Sequence, residues 1–166
     1  TQYQNLVDDN DEFAKGFYVP ENVYIIGTMN DIDRSVERMD FAMRRRFAWK
    51  EIEAKDTQTM LDDEAAWEYE KPELELVEEI KTRMDNLNAA IIDNDDTNLS
   101  ARERIGLSRA YQIGASYFLK YRLYNNFETL WTNHIKGLLY EYLRGTNNIE
   151  QKIERLYKAY NDTERH

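Results

Sequence analysis

The chain has 166 residues, with 22 Lys and Arg against 32 Asp and Glu, which gives a formal net charge of −10 at pH 7. This charge argues against nonspecific DNA binding, because phosphate contacts need local positive charge. No cysteine is present and the two histidines stand far apart, so the sequence offers neither a disulfide framework nor a recognisable metal motif. No apolar run has the length of a membrane span and no signal peptide is recognisable, so we expect a cytoplasmic protein without a membrane partner.

Residues 22–52 contain most of the chemically informative positions. The run Val23–Ile26 is rich in β-branched and aromatic residues, which is typical of a buried strand in a parallel sheet. Asn30 and Asp33 follow where such a strand would end, and ligands of open α/β sheets bind beyond the carboxyl ends of strands. A phosphate, a metal-bound water or a sugar could bind there. Residues 47–52 predict a second strand.

Three adjacent arginines, Arg44, Arg45 and Arg46, lie just before the second predicted strand. One interpretation is a solvated basic turn that balances nearby carboxylates. The other is an anion site, because arginine makes planar, bidentate contacts with phosphate oxygens. An arginine supplied across a subunit boundary can also stabilise the charge of phosphoryl transfer. The residue types alone leave both interpretations open.

The sequence G-T-M-N-D-I-D-R-S at residues 27–35, followed by M-D-F-A-M-R-R-R-F at residues 39–47, resembles a known family. The family is the AAA+ motor subunit of McrB-type, modification-dependent restriction systems, whose members hydrolyse GTP. The resemblance implies the C-terminal part of a P-loop AAA+ α/β core over residues 1–55, with the sensor-1 strand and the next strand. Residues 56–166 would form a helical lid. The expected fold is therefore mainly α with a small β remnant.

The resemblance also implies roles in catalysis for four side chains. Asn30 would be the sensor-1 residue that positions the attacking water, and Asp33 would assist it. Arg45 and Arg46 would be the arginine-finger pair that reaches the nucleotide bound by the neighbouring subunit.

Two further arginines are implied to lie at an interface with a partner protein or neighbouring subunit, namely Arg34 and Arg44. The chain departs from the family pattern between the asparagine and the aspartate of the motif. There the family often has Thr-Ala, whereas this chain has Asp31 and Ile32. The substitution adds a negative charge near the implied site.

A second segment with the same resemblance is Y-Q-I-G-A-S-Y-F-L at residues 111–119, which is similar to the I-G-H-S-Y-F element of the family's lid. The resemblance implies that Gly114 and Ser116 face the nucleotide. Ala115 replaces the histidine often found in the family, so any polar contact from that position is lost. Packing is the alternative role for a glycine that precedes an aromatic helix.

No phosphate loop of the form G-x-x-x-x-G-K-[ST] occurs in the sequence, and no apolar run ending in paired acids precedes residue 22. We therefore expect this chain alone to hydrolyse no nucleotide. Hydrolysis of an NTP would require a longer protein that supplies the phosphate loop. In that protein the resemblance implies Mg²⁺ with GTP or ATP, a homo-oligomeric ring, a McrC-like nuclease partner, and DNA contacts through other domains. No cofactor is expected in this part.

Beyond residue 55 the spacing of apolar residues predicts helices. The 12 tyrosines fall mostly at core-facing positions, and His134 is interpreted as structural rather than catalytic. The acidic loop at residues 93–98 lacks the glycine and glutamate of a calcium-binding loop, so we expect no metal there. The predicted helices cover residues 56–67, 72–91, 127–144 and 149–160.

Two other functions remain open from the sequence. The chain could be a non-enzymatic helical adaptor that uses its arginines to bind an acidic partner. Alternatively, Arg44–Arg46 could bind DNA, which the net charge opposes and which a salt titration would test.

Overall fold

The computed structural model describes residues 16, 19–29, 32, 44–68, 70–93 and 104–163. Contacts between Cα atoms divide the chain into a first unit, Thr1–Asp31, and a second unit, Ile32–His166. The subdomain boundary expected between residues 55 and 56 stays a prediction.

The first unit has no strand among its described residues. Glu21 and Asn22 form a turn in which the Val23 N–H donates to the carbonyl oxygen of Pro20 over 3.0 Å. Residues 23–29 have no regular secondary structure, and their apolar side chains are exposed to solvent.

The predicted α/β fold, with strands at residues 23–26 and 47–52, is wrong for the part of the chain that the structure describes, which is helical or irregular. A strand needs a neighbouring backbone to satisfy its N–H and C=O groups. It also needs a packed layer to cover its apolar face. In the part of the chain that the structure describes, residues 23–26 and 47–52 pair with no strand. Their apolar side chains are also uncovered, since Ile26 is 92% and Ile52 68% exposed. The prediction failed because an apolar, β-branched run forms a strand only beside a neighbouring strand, which the local sequence does not reveal.

In the second unit the described residues form helices and irregular segments. The α-helices are α1 (Thr59–Asp62), α2 (Leu74–Ile92), α3 (Ala115–Phe118), α4 (Phe127–Leu130), α5 (Lys136–Tyr142) and α6 (Ile149–Asn161). Segments of 3₁₀ helix lie at Lys55–Gln58, Glu64–Ala66, Arg109–Tyr111 and Leu119–Leu123. No helix of the described ranges combines the length and the apolarity that a bilayer span requires.

Helix α2 carries the apolar stripe that the sequence predicted, and it packs against α6. The stripe residues from Val77 to Ile91 are buried, whereas Leu74 at the start of the helix is 69% exposed. The core also receives aromatic side chains from the later helices, such as Phe118, Trp131 and Tyr160. The expectation that most tyrosines pack stays a prediction for the whole chain. Among the described tyrosines, two are buried and five more are partly buried against the core: Tyr121, Tyr160, Tyr111, Tyr117, Tyr140, Tyr142 and Tyr157.

The predicted helix at residues 127–144 is confirmed, with one irregularity. A π turn, Trp131–Ile135, joins α4 to α5. The side chain of Asn126 caps the start of α4 by accepting from the Thr129 N–H over 2.8 Å. Gly145 lies just past the end of α5 with φ 83°, a left-handed conformation that glycine adopts at low cost.

The single helix predicted at residues 56–67 is wrong, because Asp63 interrupts it. Asp63 is extended, and its carboxylate accepts from the Ala65 N–H over 3.0 Å. This cap starts a separate 3₁₀ turn, which competes with continuation of α1.

A buried asparagine ties α2 to the loop before α3. The Ile113 N–H donates to Asn88 Oδ1 over 2.7 Å, and Asn88 Nδ2 donates to the Ile113 carbonyl over 2.9 Å. Asn88 is 4% exposed and lies on the same face of α2 as Met84 and Ile91. Both backbone groups of Ile113 are therefore satisfied by one side chain.

Asp93 makes a second polar connection, at the end of α2. Its carboxylate accepts from the Ile105 N–H over 3.0 Å and from the Gly106 N–H over 2.8 Å, and it also pairs with Arg155 of α6. This acid opens the loop that the sequence had considered for a metal, and its oxygens are used by the fold.

We predict that Asn88→Leu lowers the free energy of unfolding by about 2 to 4 kcal/mol, because it leaves the buried N–H and C=O of Ile113 unpaired. Urea-induced unfolding followed by circular dichroism would measure the change. The control is Asn133→Ala at an exposed position, which should alter stability by less than about 0.5 kcal/mol. Equal effects of the two substitutions would contradict the assigned role of Asn88.

Candidate functional site

The arginine segment, residues 44–49, is exposed and carries its own internal contacts. Arg44 is helical, and Arg45 and Arg46 form the turn that follows. The indole N–H of Trp49 donates to the Arg44 carbonyl oxygen over 2.8 Å. The Arg44 guanidinium lies over the same indole, 5.6 Å from the ring centroid.

Arg45 and Arg46 differ from the other arginines that the structure describes in the second unit. Within the described ranges, neither side chain has a hydrogen-bond or ion-pair partner. By contrast, Arg83 pairs with Glu79 over 2.7 Å and Arg122 pairs with Glu68 over 2.8 Å. Two adjacent guanidinium groups are therefore available to an external anion. Their role as an arginine-finger pair stays a prediction.

Three of the implied site residues lie outside the described residues: Asn30, Asp33 and Arg34. The sensor-1 role of Asn30, the assisting role of Asp33 and the interface role of Arg34 therefore stay predictions.

Gly114 lies immediately before α3 and faces Thr57. A Cβ atom at Gly114 would lie 3.3 Å from Thr57 Oγ1. The same hydroxyl accepts from the Ala115 N–H over 2.8 Å and donates to the Ala54 carbonyl over 2.5 Å. The close backbone contact at Gly114 is thus made with this chain's own Thr57.

The two residues predicted to face a nucleotide, Gly114 and Ser116, have different surroundings. The N–H that follows Gly114 is already bonded to Thr57, whereas Ser116 in the first turn of α3 is exposed. Sequence reasoning missed Thr57, because no local pattern connects residue 57 with residue 115. Whether Gly114 and Ser116 face a nucleotide stays a prediction.

His134 belongs to a polar surface cluster. Its Nδ1 lies 3.5 Å from the ammonium of Lys120, and its Nε2 lies 3.0 Å from the Tyr124 hydroxyl. Partial burial, and then the charge of Lys120, lower the pKa of His134 below the ordinary 6.5. No carboxylate is among these partners, and the structural role that the sequence favoured for His134 stays a prediction.

An open cleft of about 370 Å³ lies between the π turn and α6. Trp131 and Tyr157 contribute rings to its lining, and their centroids are 5.1 Å apart. Its glutamates are engaged in contacts within the chain: Glu128 with Tyr157, Glu150 with Tyr140, and Glu154 with Lys158. No described group of three acidic or histidine side chains is placed to hold a metal ion.

Comparison with known proteins points to a subunit of a restriction enzyme. The relative is the Type IV methyl-directed restriction enzyme EcoKMcrB subunit of Escherichia coli strain K12, to which the chain is 40% identical over 111 residues. The matched segment covers 66% of this chain and 21% of that relative, so the chain spans about a fifth of the relative's length. No protein-family model matches the chain, and no solved structure does.

This similarity confirms the resemblance to McrB-type proteins that the motifs at residues 27–47 and 111–119 indicated.

We predict that Thr57→Val lowers the free energy of unfolding by about 1 to 2 kcal/mol, because it removes the hydroxyl that caps Ala115. Thr57→Ser keeps that oxygen and should lose less than half as much. Thermal unfolding of both variants would measure the difference. Equal losses would show that the methyl group of Thr57, rather than its hydroxyl, stabilises this contact.

We also predict that His134 makes stability fall in acid. The folded state holds the pKa below 6.5. As the pH drops through and below that value, the unfolded chain takes up a proton before the folded chain does, and folding loses free energy. Urea unfolding at several pH values between 7 and 5 should show a shallower decline for His134→Gln than for the wild type.

Proposed function

We propose that this chain is part of the motor subunit of a McrB-like restriction system, which powers a modification-dependent DNA endonuclease by hydrolysing GTP or ATP. The whole subunit would bind Mg²⁺ with the nucleotide and form a cytoplasmic ring. It would act with a McrC-like nuclease and contact DNA through other domains. The sequence similarity to the EcoKMcrB subunit supports this class of function.

The observation that carries the proposal is the exposure of Arg45 and Arg46 without partners in the described ranges. Arginines that act on a neighbouring subunit's nucleotide must be solvent-accessible and uncommitted before assembly. There they neutralise negative charge that develops on the phosphoryl oxygens. In the whole subunit, loss of one such arginine would slow turnover on the order of 10³-fold.

The remaining residues take supporting roles in the proposal. Asn30 and Asp33 would position the attacking water in the subunit that binds the nucleotide. Arg34 would contact a partner protein. Ser116 would contact the nucleotide from a helical lid that begins near residue 56, with Gly114 giving the lid backbone its tight packing on Thr57.

A helical adaptor without nucleotide hydrolysis is the second candidate function. The observation that favours it is the helical second unit, whose described residues build a closed apolar core with no strand. In this role Arg45 and Arg46 would bind carboxylates of a partner protein instead of phosphates. Nucleotide binding distinguishes the two candidates.

We predict that Mg·GTP or Mg·ATP perturbs the side-chain Nε–Hε signals of Arg45 and Arg46 in an NMR titration of this chain. Binding should be weak and turnover absent, because the sequence has no phosphate loop. Replacing either arginine with glutamine should weaken binding roughly tenfold, the worth of one charge-assisted hydrogen bond. The matched control is Arg144→Gln, since Arg144 is a highly exposed arginine on another part of the second unit.

Absence of any shift at Arg45 and Arg46 with either nucleotide would reject the motor role and favour the adaptor. Measurable hydrolysis by the purified chain would contradict the assignment of the nucleotide site to two subunits. A duplex DNA titration in the same experiment tests the third possibility, since DNA binding through arginine weakens steeply with salt.

A further inference from the structure

Trp49 differs from the other tryptophans of the chain. Trp67 and Trp131 are each 3% exposed and belong to the hydrophobic core, whereas Trp49 is 50% exposed and lies outside it. Exposing half of an indole ring to water costs free energy, because much of its surface is apolar. The contacts that the ring still makes therefore suggest why a tryptophan is present at this position.

Within the described ranges, the side chain of Trp49 makes one hydrogen bond and one cation–π contact, and both are with Arg44. Its indole N–H donates to the Arg44 carbonyl over 2.8 Å, and its ring lies under the Arg44 guanidinium at 5.6 Å. We infer that Trp49 is a positioning residue, which holds the arginine segment so that Arg45 and Arg46 are presented to an anionic ligand. This inference rests on the proposed function for the nature of that ligand.

The hydrogen bond constrains the backbone of the arginine segment. It joins residues five apart and closes a loop that contains Arg45 and Arg46. Within the described ranges, this hydrogen bond and the contact between the Trp49 ring and the Arg44 guanidinium are the side-chain contacts that join the two ends of the turn. A closed loop limits the directions in which the two arginines can point, which lowers the entropy lost when they bind an anion.

The ring contact separates Arg44 from the other two arginines. A guanidinium over an indole is attracted by the negative face of the ring, which partly offsets repulsion among three adjacent cations. Arg44 is therefore committed to Trp49, while Arg45 and Arg46 remain uncommitted. The segment thus presents two binding arginines and one anchoring arginine.

Limited digestion with trypsin tests the anchoring without any ligand, because trypsin cleaves after arginine only where the chain is locally open. Trp49→Leu removes both contacts, and we expect cleavage after Arg44–Arg46 to become about tenfold faster. Trp49→Phe keeps a ring but loses the N–H donor, and should give an increase of at most about fivefold. Mass spectrometry of the early fragments gives the rates.

Two internal comparisons keep the test specific. Ile52→Ala removes an exposed apolar side chain from the same stretch and should leave the rates unchanged. Cleavage after Arg109, which lies in an exposed 3₁₀ turn elsewhere in the second unit, should be the same in all variants. Wild-type rates in Trp49→Leu would overturn the inference, as would an equal increase in Ile52→Ala or after Arg109.

The same variants in the Mg·GTP titration separate failure of this inference from failure of the proposed function. If Trp49→Leu digests faster while wild-type Arg45 and Arg46 show no nucleotide shifts, the anchoring stands and the motor role fails. If the wild type shows shifts and Trp49→Leu keeps both wild-type digestion and wild-type affinity, the motor role stands and the anchoring is overturned. We expect faster digestion together with affinity several-fold weaker.

Discussion

Burial of one face of α2 is the constraint on which the second unit depends. The 19-residue helix packs its apolar stripe against α6, and the short helices α3 to α5 add aromatic rings to the same core. Asn88 of α2 and Asp93, the residue that follows the helix, then bind backbone groups of later segments. Asn88 satisfies both backbone groups of Ile113, and Asp93 binds two N–H groups of residues 105–106. Because an unpaired buried polar group is costly, these bonds hold residues 105, 106 and 113 in place against α2 and its C-terminal end.

The chain that follows the arginine segment is connected to this core by two hydrogen bonds of Thr57. Thr57 follows the segment in the chain, and its hydroxyl binds both the Ala54 carbonyl and the Ala115 N–H at the start of α3. The segment is therefore attached close to the residues that the resemblance places at a nucleotide-facing lid. Thr57 therefore fixes the chain that follows the arginine segment against the start of α3.

The sequence predicted those parts of the fold that local pattern determines. Regular apolar spacing identified α2, the helix interrupted by the π turn, and α6, because each can be recognised from its own residues. The strands at residues 23–26 and 47–52 were wrong, since an apolar β-branched run becomes a strand only beside another strand. The contact of Thr57 with Ala115 was missed because it joins residues 58 apart in the chain. In the arginine segment the sequence identified the cations, but not the indole that holds one of them.

The charge of the chain bears on which anion the arginine segment can bind. With a net charge of −10, the molecule as a whole repels anions, so attraction must arise from the local cluster of cations. At physiological salt, charges act over a Debye length of about 8 Å. A compact anion such as a triphosphate can interact with the Arg44–Arg46 cluster without extending far beyond it. Duplex DNA extends well beyond it and would bring further phosphates near the acidic surface, where each adds repulsion. The acidic net charge together with the local arginine cluster therefore favours a small, densely charged ligand over an extended polyanion.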